Sequence, residues 1–140
     1  MKSPAQIDRE IADSQERARL ERRVRRVLAK WEPIVGARVA EFHVKKMRAF
    51  ASTNVRDRRL WVSQALARMS PADLEYVIVH ELAHLRSADL ARERGEDPEV
   101  GSGHDAHFYA ILDRHLPSWR LRHERLRSGT IVARELPGMR

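Results

Sequence analysis

The chain has 140 residues, of which 42% are hydrophobic, 34% are charged and none is cysteine. That length and apolar content suit one folded domain with its own core rather than a disordered chain, and the absence of cysteine excludes disulfides, thiolate metal sites and a cysteine nucleophile. The net charge of +7, carried mostly by arginine, fits an acidic or nucleic-acid partner and equally a solvated surface.

Residues 4–31 read as a long helix. Ser3 and Pro4 open it, and Ile7, Ile11, Leu20, Val24, Val27, Leu28 and Trp31 recur at helical spacing. Its polar side carries Arg17, Arg19, Arg22, Arg23, Arg25, Arg26 and Lys30, and Pro33 and Gly36 are expected to end it. In residues 38–47, Ala40, Phe42 and Val44 alternate with Glu41, His43 and Lys45, which predicts a strand. A polar link over 52–58 leads to a second strand over 59–63, and the two are expected to pair as a hairpin.

The next helix, over 71–94, carries the chemistry. Ser70 is placed to cap it, Pro71 suits its first position and Asp73 its first turn. Leu74, Ile78, Leu82 and Leu85 form an apolar stripe, with His80-Glu81-Leu82-Ala83-His84 inside it. At 3.6 residues per turn His80 and His84 lie on one face, one turn apart, where two imidazoles can share a metal ion. Glu81, the next residue round the helix, can reach a water on that ion and serve as its general base. Burying such a polar set is costly unless it is paired or metal-bound. Without cysteine, zinc would have to be held by His, Asp or Glu.

Gly95 can stop this helix, and 95–103 is a loop with three glycines and a proline. A further helix is expected from about His104 to Leu116, broken by Pro117, and a last one from Ser118 through Arg127, closed by Gly129. Residues 130–140 form a tail. No internal repeat or low-complexity tract is present.

A catalytic zinc takes three protein ligands and keeps a fourth position for water. A metzincin-type third ligand fails, because positions 87 and 90 hold Ser87 and Leu90. Glu93, Glu96 and Glu99 do not open an apolar helical pattern after a loop. His104 does, following Gly103, and His107 is its rival one turn on. His43, His115 and His123 lack metal-site spacing, although His115 could lie behind the site.

These residues resemble the YgjP-like (DUF45) zinc metallopeptidases, which are related to the SprT-like proteins. The resemblance runs from about Lys45 to Leu126. It rests on Lys45-Lys46-Met47-Arg48, on Arg59-Leu60-Trp61-Val62-Ser63, on Leu74 through Leu85, on His104-x-x-x-Phe108-Tyr109 and on Leu116-Pro117-Ser118-Trp119. It implies an α+β, zincin-like fold with a small antiparallel sheet or hairpin packed on helices. It also implies zinc held by His80, His84 and His104, with Glu81 as general base. Two departures stand out. Ala49-Phe50-Ala51-Ser52-Thr53-Asn54 replaces the family's usual Trp-Gly-Ser-Cys stretch, and an insertion over 86–103, read as extending the motif helix and forming a flap near the cleft, separates His84 from the third histidine.

The function expected is zinc-dependent hydrolysis of protein or peptide substrates. Tyr109, His107 and Arg48 are candidate oxyanion donors, and strand 59–63 is a candidate edge for binding an extended peptide. The alternative is a nucleic-acid-associated protein, either a SprT-like protease or a basic DNA-binding module with a structural zinc, using the Arg-rich N-terminal helix. No apolar h-region or membrane-length run is present, so a cytoplasmic protein without a membrane partner is expected.

Overall fold

The computed structural model describes residues 1–100 and 103–128. Helix α1 spans Pro4–Val35. Ser3 and Gln6 form a reciprocal cap: the Ser3 hydroxyl accepts the Gln6 N–H, and the Gln6 side chain accepts the Ser3 N–H. Only the second half of α1 is buried, through Leu20, Val24, Leu28, Trp31 and Val35. Ile7 and Ile11 stay exposed, so the first turns project past the core. Pro33 does not end the helix. A proline this near the C-terminus removes one backbone bond, and Val35 still gains burial beyond it. Gly36 supplies the stop, with φ 81° and its N–H on the Glu32 carbonyl.

Three short strands follow: β1 (Glu41–Lys45), β2 (Ala51–Asn54) and β3 (Arg59–Ser63). The sheet order is β1-β3-β2, with β1 parallel and β2 antiparallel to β3. The expected pairing is therefore corrected. The hairpin is β2–β3, and its first strand comes from the polar segment that was expected to be a link. Strand β3 is central, so it is not the edge. Its Leu60 and Val62 are fully buried, which suits a middle strand. Arg58, in the β2–β3 turn, adopts a left-handed φ of 64° and donates to both Asp89 carboxylate oxygens and to the Arg38 carbonyl.

A single 3-10 turn (Gln64–Arg68) leads into α2 (Pro71–Glu93), where the Ser70 hydroxyl accepts the Asp73 N–H. From Tyr76 to Leu85 every residue of α2 is buried. The sequence showed a stripe, but α2 packs against α1, β2, α3 and α4 at once and is covered all round. The first part of the insertion extends α2 to Glu93, in line with the helix expected over 71–94, and Gly95 (φ 77°) turns the chain out of it. Helix α3 spans Ala106–His115, capped by Asp105, and α4 spans Trp119–Arg127. The stop at Gly129 and the tail over 130–140 lie outside the described residues. Among the described residues no helix is long and apolar enough to cross a membrane.

Candidate metal centre

His80 and His84 project from one face of α2, with ring centroids 4.9 Å apart. His104 sits two residues before α3, just ahead of the Asp105 cap, whose carboxylate accepts the Phe108 N–H at 3.0 Å. This places the His104 ring 5.1 Å from His80 and 4.8 Å from His84. Each imidazole offers one nitrogen, and these lie within 4.8 Å of one another. The closest pair, His84 Nε2 and His104 Nε2, is 3.1 Å apart. Nitrogens sharing a tetrahedral zinc at about 2.0–2.1 Å sit roughly 3.3 Å from each other. The closest pair is near that spacing already, and all three nitrogens lie within 4.8 Å of one another. His107 takes no part. It is exposed on α3 and lines a different pocket, together with His115.

Glu81 is 3% exposed and both of its oxygens are engaged. Oε2 accepts from His80 Nδ1 at 2.8 Å, and Oε1 accepts from the Thr53 hydroxyl at 3.1 Å. An ionised carboxylate only accepts, so the proton of His80 is on Nδ1 and the Nε2 lone pair is the one left for a metal. Burial pushes the Glu81 carboxyl up. The hydrogen bond and charge of His80, the nearby His84 and the Thr53 hydroxyl outweigh it and hold the group below its ordinary value. Burial, with His80 beside it, lowers His104, against the opposing pull of Glu81. Three imidazole donors with no thiolate are the ligand chemistry of a borderline divalent ion such as zinc, and three rather than four leave one position open.

Aromatic rings wall the cluster. Phe108 stacks on His84 at 4.4 Å and 25° and meets His80 edge-on at 5.0 Å. Tyr76 meets His80 edge-on at 5.9 Å, and its hydroxyl is 2.8 Å from His123 Nδ1. Thr53, Tyr76 and His123 were not singled out as site residues from the sequence. Thr53 stood in an apparent link, and His123 has no metal-like spacing. Of the expected oxyanion donors, Tyr109 stacks on Trp119 at 5.3 Å and lies 6.5 Å from His104, while Arg48 is exposed. His43 pairs on the surface with Glu41, and His115 is outside the imidazole cluster and lines the other pocket with His107.

A buried His-Glu-x-x-His helix with a third imidazole brought in from a following segment, beside a small sheet, is the arrangement of a metallopeptidase domain. The YgjP-like metallopeptidase domain family matches residues 2–92, and the chain belongs to that family. The match takes in α1, which the sequence resemblance left out, and ends before His104. No curated protein matches the chain. Among solved structures, the metallopeptidase zymogen of Pyrococcus abyssi abylysin shares the fold, with a TM-score of 0.61 at 15% identity, covering 83% of this chain and 99% of that one.

Proposed function

We propose that the protein is a zinc-dependent peptidase in which His80, His84 and His104 hold the metal and Glu81 is the general base. The observation that carries this reading is the convergence of three imidazoles on one point with a buried carboxylate alongside. When bound, zinc would supply Lewis acidity and bring the pKa of its water down to about 7. Glu81 takes a proton from the attacking water through Oε2 and returns it to the leaving amine nitrogen. Thr53 keeps the other carboxylate oxygen in place during both transfers. His80 shares Nδ1–H with Glu81, so base and ligand orient each other.

The outer edge of β2 is the binding edge for an extended peptide in this reading, replacing strand 59–63. Strand β2 carries Thr53 to Glu81, and a substrate paired along it would run past the imidazoles. A cytoplasmic location is part of the same proposal. Nucleic-acid binding through α1 gains less support. Arg23 is spent on the Ala67 and Met69 carbonyls, Arg17 on Gln64, Lys30 on Glu75 and Arg25 on the Phe42 ring.

Metal analysis together with an unbiased peptide digest tests the proposal. Wild type is expected to carry one zinc and to cut peptides, and His104→Ala to lose the zinc. Glu81→Gln is expected to keep zinc while cleavage falls by about 10²–10⁴-fold, the usual worth of a general base. Equal cleavage by wild type and Glu81→Gln would remove Glu81 from this role.

A further inference from the structure

A pocket of about 490 Å³ lies between the end of α1, the second half of α2 and α3. Its size falls within the roughly 300–1,000 Å³ of small-molecule sites. It is separate from the imidazole cluster. Two residues along a helix rotate the side chain by about 200°, so Arg86 leaves α2 on the side away from His84. Its lining combines apolar residues, Val35, Leu90 and Ile111, with basic ones, Arg86, His107, Arg114 and His115. No carboxylate is among its lining residues.

Arg86 is the telling member. Arg17, Arg23, Arg58 and Arg122 are half-buried as it is. Each of those four donates to a named acceptor: Gln64, the Ala67 and Met69 carbonyls, Asp89, and Glu75 with the Ala72 carbonyl. Among the described residues Arg86 has no hydrogen-bond or ion-pair partner, and neither does Arg114 across the pocket. A partly desolvated guanidinium without an acceptor is costly. The Arg86 guanidinium lies beside Gly36, where a β-carbon would make only ordinary contact with Nε at 3.7 Å, so the left-handed φ of 81°, not the arginine, is what favours glycine there. His115 shares the same field, lowered first by burial and then by Arg114 and Arg86. Glu96, which feels the charge of His107, is paired with Arg94.

We propose that this pocket binds a small ligand bearing an anionic group, phosphate or carboxylate, on an apolar body. The anion lies between Arg86 and Arg114, and the body rests on Leu90 and Ile111. The site is independent of the metal centre and of peptide cleavage.

Calorimetric titration of the full chain with phenyl phosphate, benzoate and benzyl alcohol tests this. Saturable binding is expected for at least one anion and not for the alcohol, and the tighter of the two anions identifies the headgroup. Arg86→Gln and Arg114→Gln should each weaken it about tenfold or more, the worth of a charge-assisted hydrogen bond. Arg86→Lys should retain most of it, and stripping the protein with a chelator should change nothing. Thermal melting of each variant checks that it is folded. No saturation with either anion overturns the proposal, as does binding that survives both glutamine substitutions or disappears with the metal. Loss of melting temperature in Arg86→Gln with no anion bound to wild type would mean that the arginine serves only the negative end of α1.

Discussion

The Thr53 hydroxyl donates to Glu81 Oε1 at 3.1 Å and so joins the edge strand to the carboxylate of the His-Glu-x-x-His helix. This bond satisfies one oxygen of a buried carboxylate, while the other, Oε2, accepts from His80 Nδ1 and keeps a second lone pair for the proton of the proposed reaction. Thr53→Val removes the donor at nearly constant volume. Cleavage is expected to fall roughly tenfold and stability by about 1–1.5 kcal/mol, the net worth of such a bond, with zinc content unchanged. Thr53→Ser should restore both. Peptide kinetics and denaturant unfolding on the three proteins check this, and unaltered turnover in Thr53→Val would show that Glu81 does not depend on the strand.

Phe108 connects the core to the imidazole cluster. Its ring is 1% exposed and stacks on His84, with His104 at 4.9 Å. Truncation to alanine opens a cavity directly behind two of the proposed ligands. Phe108→Ala is expected to cost about 3–5 kcal/mol and to weaken zinc roughly tenfold or more, because ligand orientation depends on such supporting contacts. Phe108→Leu keeps most of the volume and should cost less than about 1.5 kcal/mol. Thermal melting and zinc titration against a chelator separate the two effects. Unchanged zinc affinity in a folded Phe108→Ala protein would confine the ring to a packing role.

The parts of this architecture that local rules control could be read from the chain. Ser70 and Pro71 fix the start of α2, and the helical period alone puts His80 and His84 on one face. Gly103 followed by an apolar helical pattern marked His104 as the residue that arrives from outside. What could not be read depends on pairing at a distance. Strand β2 is four residues, Ala51-Ser52-Thr53-Asn54, too short and polar for alternation to register, and it becomes a strand only against β3. The parallel β1–β3 ladder has no turn signature, so proximity in sequence suggested a hairpin instead. Tyr76 and His123 meet only because α4 folds back over α2. Pro33 looked like a helix stop because its cost is local, whereas the burial of Val35 that offsets it is tertiary.

Glu75 ties three helices together. It accepts from Trp31 Nε1 at 2.9 Å and Lys30 Nζ at 3.2 Å on α1, and from Arg122 Nη1 at 3.1 Å on α4. Burial pushes its carboxyl up, but hydrogen bonds from Trp31, Lys30 and Arg122 outweigh this and hold it below the ordinary value. A carboxylate that is more acidic folded than unfolded stabilises fully above its unfolded pKa, about 4.3 for glutamate. That contribution fades as pH falls from there through the lowered folded value. Glu75→Gln is therefore expected to cost on the order of 1–3 kcal/mol at neutral pH and progressively less in acid. Urea unfolding of both proteins across this range checks it. A gap between them that does not narrow below the glutamate range would sink the assignment.

Arg56 in the β2–β3 turn reaches the loop that leads to His104. Its guanidinium donates to Asp97 at 2.9 Å and to Glu99 at 2.9 Å. All three side chains are more than half exposed, so the pairs are screened and add little to global stability. Their effect is local: they hold residues 96–100 against the hairpin that also carries Thr53. Arg56→Ala is expected to leave the melting temperature nearly unchanged while amide exchange over 96–100 speeds up. Raising salt to about 1 M, where the screening length shrinks to about 3 Å, should make wild type exchange like the variant. Hydrogen exchange with mass detection at low and high salt reads both effects. Identical exchange in wild type and Arg56→Ala at low salt would show that the loop is held by something other than these ion pairs.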